Sequence, residues 1–188
     1  MNHKLSKQTD VYEGAKKVSL LPVHIKEKQD VLSSFSSSKE YYISEDMATF
    51  LMNQAKPLPL KNALHVKIKT EKVLPDDDKQ AIAKAIKNYF HNGVLDVSMQ
   101  IKKSAWVACI MLMVSIIVLS VSFLLSYTNV AYVLIELLEI VGWVFAWECV
   151  DIFCFRITMM RFQKKRSLNF LEAKISFDII KDTKRRDE

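Results

Sequence analysis

From Ser104 through Ile135 the chain runs for 32 consecutive residues without a charged side chain, and inside that run Trp106 to Leu125 reads WVACIMLMVSIIVLSVSFLL. An α-helix rises ~1.5 Å per residue, so about 20 apolar residues cross the ~30 Å hydrocarbon layer of a bilayer. The run therefore predicts a transmembrane helix. The first ten residues, MNHKLSKQTD, have no apolar core, so a secretory signal at the start is not expected.

The charges are arranged around this run. Met1 to Lys103 holds 17 basic and 12 acidic residues, Ser104 to Phe155 holds none and 4, and Arg156 to Glu188 holds 10 and 5. Every cation of the 188-residue chain lies outside the apolar third. That segment continues with Val130 to Phe155, VAYVLIELLEIVGWVFAWECVDIFCF, long enough to cross a second time but carrying Glu136, Glu139, Glu148 and Asp151. Each acid at a bilayer centre costs roughly 2.5 to 3.5 kcal/mol. A span centred near Gly142 keeps the two outer glutamates about 9 Å from the midplane and Asp151 near the interface. The alternative is a re-entrant or interfacial helix.

Tyr127 to Val130 reads as a tight uncharged turn joining the two arms as an antiparallel hairpin. Lys102 and Lys103 precede the first arm, and Arg156, Arg161, Lys164, Lys165 and Arg166 follow the second. The positive-inside rule then puts both termini in the cytoplasm of a multi-pass inner-membrane protein. Cys109, Cys149 and Cys154 cannot build a paired disulfide framework, which suits that reducing side.

At 100° per residue Glu136, Glu139, Trp143, Trp147 and Asp151 share one stripe, with Glu148 at its edge. Leu138, Val141, Phe145 and Ile152 occupy the far side. On the first arm Ser104, Ser115, Ser122 and Ser126 form a small polar stripe beside Ala108, suited to close helix contact. The simplest expectation turns the two stripes together, with Trp143 and Trp147 packed on the facing helix. Carboxyls hydrogen-bonded to serines would specify packing or homo-oligomerisation; the alternative is that Glu136, Glu139 and Asp151 line an ion or proton path in an oligomer. The cluster Arg161, Lys164, Lys165 and Arg166 is expected to contact anionic headgroups.

Residues 1–40, with the Ser-rich SSFSSS at 33–38, have no sustained period and read as a mobile tail. In 41–103, Tyr42 to Asn53 predicts a short helix contributing Phe50 and Leu51, and Ala63 to Thr70 (ALHVKIKT) alternates as a strand with a basic outer face. Pro75 and Asp76 to Asp78 start a helix with Ile82, Ile86, Tyr89 and Phe90 on one face. Asn92-Gly93 is expected to break or kink that helix before the span. After the arms at 104–127 and 130–155, residues 156–188 supply a basic helix, a second strand at Ala173 to Ile180 and a tail. The predicted fold class is an α+β membrane protein: a two-helix transmembrane hairpin with a small cytoplasmic domain of about two strands and one or two helices.

The sequence holds no phosphate-cradling glycine loop, no His-Glu-x-x-His, no Gly-x-Ser-x-Gly and no Cys-x-x-Cys, and His3, His24, His65 and His91 lack ligand spacing. No catalytic, metal or cofactor site is expected, and no nucleic-acid partner.

Val141 to Phe155, VGWVFAWECVDIFCF, followed by a basic helix and a closing strand, resembles the ending of an uncharacterised family of small bacterial two-span integral membrane proteins. Gly142, Trp143, Val144, Trp147 and Glu148 match its Gly-Trp-Val-x-x-Trp-Glu pattern, with Asp151 at a further acidic position. The resemblance covers roughly Lys56 to Ile180 and implies the hairpin architecture and a bacterial inner membrane, with no activity attached. A similarity of layout to two-span effector modules of bacterial defence systems adds membrane permeabilisation as an alternative to a non-enzymatic interaction or assembly module.

Overall fold

The computed structural model describes residues 10–13, 16–33, 35–36, 41–128 and 131–180. The chain forms two compact units, one of residues 1–94 with 165–188 and one of residues 95–164.

The first unit is a mixed α/β layer pair. Strands β1 (Asp10–Glu13), β2 (Lys16–Ile25), β3 (Ala63–Thr70) and β4 (Lys174–Ile179) form one sheet in the order β1-β2-β3-β4. β1 meets β2 antiparallel, whereas β2, β3 and β4 run parallel, with Leu21 opposite Val66 and Val66 opposite Ile175. The two expected strands are therefore the β3–β4 pair of a larger sheet.

The reading of residues 1–40 as a mobile tail is corrected for 16–25. β2 lies in the middle of the sheet, and Val18, Leu21, Val23 and Ile25 are buried. Pro22 disguises the alternation, since proline removes a ladder donor and argues against a central strand. Among the described residues the pairing with β1 reaches as far as Ser19, three positions before Pro22. Residues 1–9, 14–15, 34 and 37–40 of the expected tail, with 181–188 at the other end, lie outside the described residues.

Parallel strands require crossovers. The first contains α1 (Glu45–Ala55), which begins at Ser44, whose hydroxyl accepts the Met47 N–H. Met47, Ala48, Leu51 and Ala55 are its buried face, while Phe50, expected inside, is exposed. The second crossover holds everything between β3 and β4: α2 (Asp76–Leu125), α3 (Tyr132–Asp151) and α4 (Ile157–Leu171). α2 starts after Pro75 as expected, buries Ile82, Ile86 and Phe90, and leaves Tyr89 exposed.

α2 does not break at Asn92-Gly93 but continues unbroken for 50 residues. A glycine inside a helix costs only about 1 kcal/mol relative to alanine, a penalty that packing on either side outweighs. Gly93 keeps ordinary geometry, and a Cβ there would meet Ser167 Oγ at a comfortable 4.0 Å.

The inner sheet face, Leu21, Val23, Ile25, Leu64, Val66 and Ile68, forms one buried cluster with the helices. Phe90 of α2 stacks on Phe170 of α4 with ring centroids 4.1 Å apart and planes 4° from parallel. Both rings are fully buried, so this stack fastens the two ends of the second crossover to one core. Phe170→Ala should destabilise this unit by about 3 to 5 kcal/mol, read by urea unfolding in mild detergent. A loss below about 1 kcal/mol would show that the stack is dispensable.

Candidate functional site: the two faces of the α3 helix

The second unit contains the apolar half of α2, together with α3 and the start of α4. Among the described residues α2 is the one helix long and apolar enough to cross a membrane, and only 17% of its most apolar 18-residue stretch is buried. A helix at the centre of a soluble core would bury far more. α3, at 20 residues, has the length of a span and carries the four acids.

The helices meet along small residues. Ser115 donates its hydroxyl to the Gly142 carbonyl at 2.8 Å, and Ser122 donates to the Ile135 carbonyl at 3.2 Å. Ala108 and Cys149 share one buried cluster with Ile152 and Ile157. Ala108, Ser115 and Ser122 ascend α2 in steps of seven as Cys149, Gly142 and Ile135 descend α3 in steps of seven. A seven-residue repeat on both partners is the signature of a left-handed antiparallel pair. The serine stripe thus lies in the contact as expected, apart from Ser126, which is exposed and bonds back to Phe123 of its own helix at 2.6 Å. The turn follows with Tyr127 and Thr128, while Asn129 and Val130 lie outside the described residues.

Gly142 is the closest approach. A Cβ there would stand 2.6 Å from both Cγ and Cδ2 of Leu119, so glycine is what lets Leu119 lie against the α3 backbone. The need for small residues also overturns the expectation that the two stripes face one another. Trp143 is 66% exposed and Trp147 74%. Glu136, Glu139, Glu148 and Asp151 are exposed as well. Tryptophan rings in the seam would hold the helices apart, so the contact falls on Ile135, Gly142 and Cys149, with Leu138 and Phe145 half-buried beside them. The acid and tryptophan stripe is turned roughly 140° away by the 100° step of the helix.

The exposed acids have few partners. Glu136 hydrogen-bonds the Tyr132 hydroxyl one turn earlier. Glu139 accepts a long bond from Ser122 at 3.5 Å, which links the two stripes. Glu148 lies 3.9 Å from Arg156. Asp151 has no ion pair among the described residues. Trp147, Glu148, Asp151, Cys154 and Phe155 line an open groove of about 490 Å³ on this outer face.

Between α3 and α4, Ile152–Arg156 forms a single wider turn in which the Ile157 N–H reaches back five residues to the Ile152 carbonyl. The seven-residue steps from Ile135 to Gly142 to Cys149 are followed by a step of eight from Cys149 to Ile157, with Ile152 also buried between them. Such insertions re-aim side chains and recur at functional sites. Here the wider turn carries Phe153, Cys154 and Phe155 to the surface while Ile157 re-enters the core.

Of the basic cluster, Arg161 and Lys165 are exposed and Lys164 is half-buried. Arg166 is committed elsewhere: its Nη2 donates to the Lys56 carbonyl at the end of α1, at 3.2 Å. A headgroup contact through Arg166, expected from its neighbours, competes with this bond.

No family model, curated protein or solved structure matches the chain.

Gly142→Val should weaken the α2–α3 contact by about 1 to 3 kcal/mol through overpacking, and Ser115→Ala by about 0.6 kcal/mol. Steric trapping of the unit in bicelles measures both. Equal stability of Gly142→Val and the unaltered chain would refute the close approach.

Proposed function

We propose that the chain is an integral membrane protein of two spans, the apolar half of α2 and the whole of α3. On this reading both termini are cytoplasmic and the membrane is a bacterial inner membrane. The protein works without catalysis, as an interaction and assembly module that homo-oligomerises in the plane of the bilayer.

The observation that carries the reading is the division of α3 into two faces. The small-residue face is used up on α2, while Glu136, Glu139, Trp143, Trp147, Glu148 and Asp151 remain exposed on the other. Carboxyl groups on a membrane helix face a protein interior, a partner or water rather than lipid tails. A second copy of α3 brings such groups together so that they exchange hydrogen bonds and the indoles bury their rings. Lys102, Lys103, Arg156, Arg161, Lys164 and Lys165 flank the spans and suit an anionic cytoplasmic leaflet, each worth about 1 kcal/mol near the surface.

A second reading, a homo-oligomeric ion or proton channel or a permeabilising effector, draws support from Asp151. It is an exposed acid with no ion pair among the described residues, beside an open groove. Two helices enclose no pore, so this reading also requires the oligomer.

Single-molecule photobleaching of the labelled chain in liposomes, across a range of protein-to-lipid ratios, tests assembly. Oligomers should form, and the Glu136→Gln/Glu139→Gln/Trp143→Leu/Trp147→Leu variant should raise the dissociation constant about tenfold or more. Monomers at every ratio would defeat the assembly reading. Proton and monovalent-cation flux in the same liposomes separates the two readings: flux altered by Glu136→Gln/Glu139→Gln at unchanged stoichiometry selects the channel.

A further inference from the structure

The sheet of the first unit ends at β4, and nothing among the described residues pairs with its far edge. The Ile180 N–H bonds the Thr70 carbonyl of β3 at 3.0 Å. Alternate residues of a parallel ladder bond the same neighbour, so Lys174, Ser176 and Asp178 also turn their main-chain groups toward β3. Ile175, Phe177 and Ile179 turn theirs outward, a row of donors and acceptors that templates another strand.

The side chains at this edge are open as well. On the inner face Val66 and Ile68 of β3 are fully buried, whereas their β4 neighbours Ile175 and Phe177 are half-buried and Ile179 is 53% exposed. The apolar row of the core runs on to the edge of the sheet without being closed over, and one further strand would bury it. Bulges and prolines blunt edges that must stay solitary. β4 has neither: Lys174–Ile179 contains no proline and pairs with β3 in an unbroken register.

Charge selects the partner. β4 reads Lys-Ile-Ser-Phe-Asp-Ile, with Lys174 and Asp178 placed symmetrically about Ser176. A two-fold axis through Ser176, normal to the sheet, sets Lys174 of each copy opposite Asp178 of the other, Ile175 opposite Phe177, and Ser176 opposite itself. Opposite residues of an antiparallel pair share a face, so the ion pairs fall on the outer face and the apolar pairs extend the core on the inner one. Ile175 and Phe177 are the residues with outward main-chain groups, so they exchange both hydrogen bonds. The neighbouring registers that keep those groups paired lose the match. A shift one way sets Asp178 against Glu172 of the other copy, and a shift the other way sets Lys174 against Ile180.

Both charges also act within their own chain, where Asp178 Oδ2 lies 2.7 Å from the Lys67 ammonium. A carboxylate has a second oxygen and an ammonium three donors, so neither group is used up. We propose that β4 is a homodimerisation edge, through which two copies of the chain join antiparallel along Lys174–Ile179 into one continuous sheet. This isologous contact lies wholly in the first unit and does not rest on the α3 reading above.

The test is oxidative cross-linking of the full chain in maltoside micelles, with the exposed Cys109 and Cys154 changed to serine. The Ser176 pair is a non-hydrogen-bonded one, whose Cα atoms stand about 4.5 Å apart, within the reach of a disulfide. Ser176→Cys should cross-link, and Ile180→Cys, on the same face but far from the axis, should not. Adding either Lys174→Asp or Asp178→Lys to Ser176→Cys opposes like charges across the seam. Each should raise the dissociation constant about tenfold, read from the concentration dependence of the cross-link. Mixing the two altered chains puts opposite charges back at both positions and should restore the cross-link. Changes inside either chain, including loss of the Lys67 contact, are the same alone and mixed, so only contact between copies produces this rescue. Mixed chains that cross-link no better than the separate variants, as assembly through α3 alone would give, would overturn the proposal. So would absence of the Ser176→Cys cross-link, or an equal one in Ile180→Cys.

Discussion

The second unit depends on how near two helix backbones can come. At Gly142 the absence of a Cβ lets Leu119 sit against the α3 backbone, and the same proximity brings Ser115 within 2.8 Å of a main-chain carbonyl. Once that contact is fixed, the rest of α3 follows from a 100° step. Ile135 and Cys149 are carried into the seam, and the tryptophans and acids are carried out of it. A bulkier residue at 142 would release the whole arrangement, because no other position on α3 offers a backbone without a side chain.

Much of this was legible in the sequence, for identifiable reasons. Ala63 to Thr70 alternates without interruption and is a strand over that range. Ser104, Ala108, Ser115 and Ser122 announced a close helix contact by size alone. The uncharged run from Ser104 marked the apolar half of α2. What misled was local punctuation. The scattered apolar residues and the SSFSSS stretch of 1–40 hid the strand at Lys16–Ile25, and Gly93 argued for a helix break that packing overrides. Such signals carry a local preference, and tertiary contacts decide whether it is expressed.

The polar stripe of α3 shows a different limit. Helical periodicity groups Glu136, Glu139, Trp143, Trp147 and Asp151 correctly, but it does not say which face meets the neighbour. Size decided that, and glycine marks the face.

The order of the strands sets an order of events during synthesis. Thr70 ends β3 and Lys174 begins β4, its parallel neighbour, so the whole of α2, α3 and α4 must emerge from the ribosome before the sheet can be completed. Until then β3 keeps an unpaired edge alongside Val66 and Ile68, the kind of edge that invites pairing with other chains. Closure of β4 against β3 is therefore a late step in biogenesis. A chain interrupted before Lys174 would carry both long helices while leaving that edge open, a state a quality-control system could recognise.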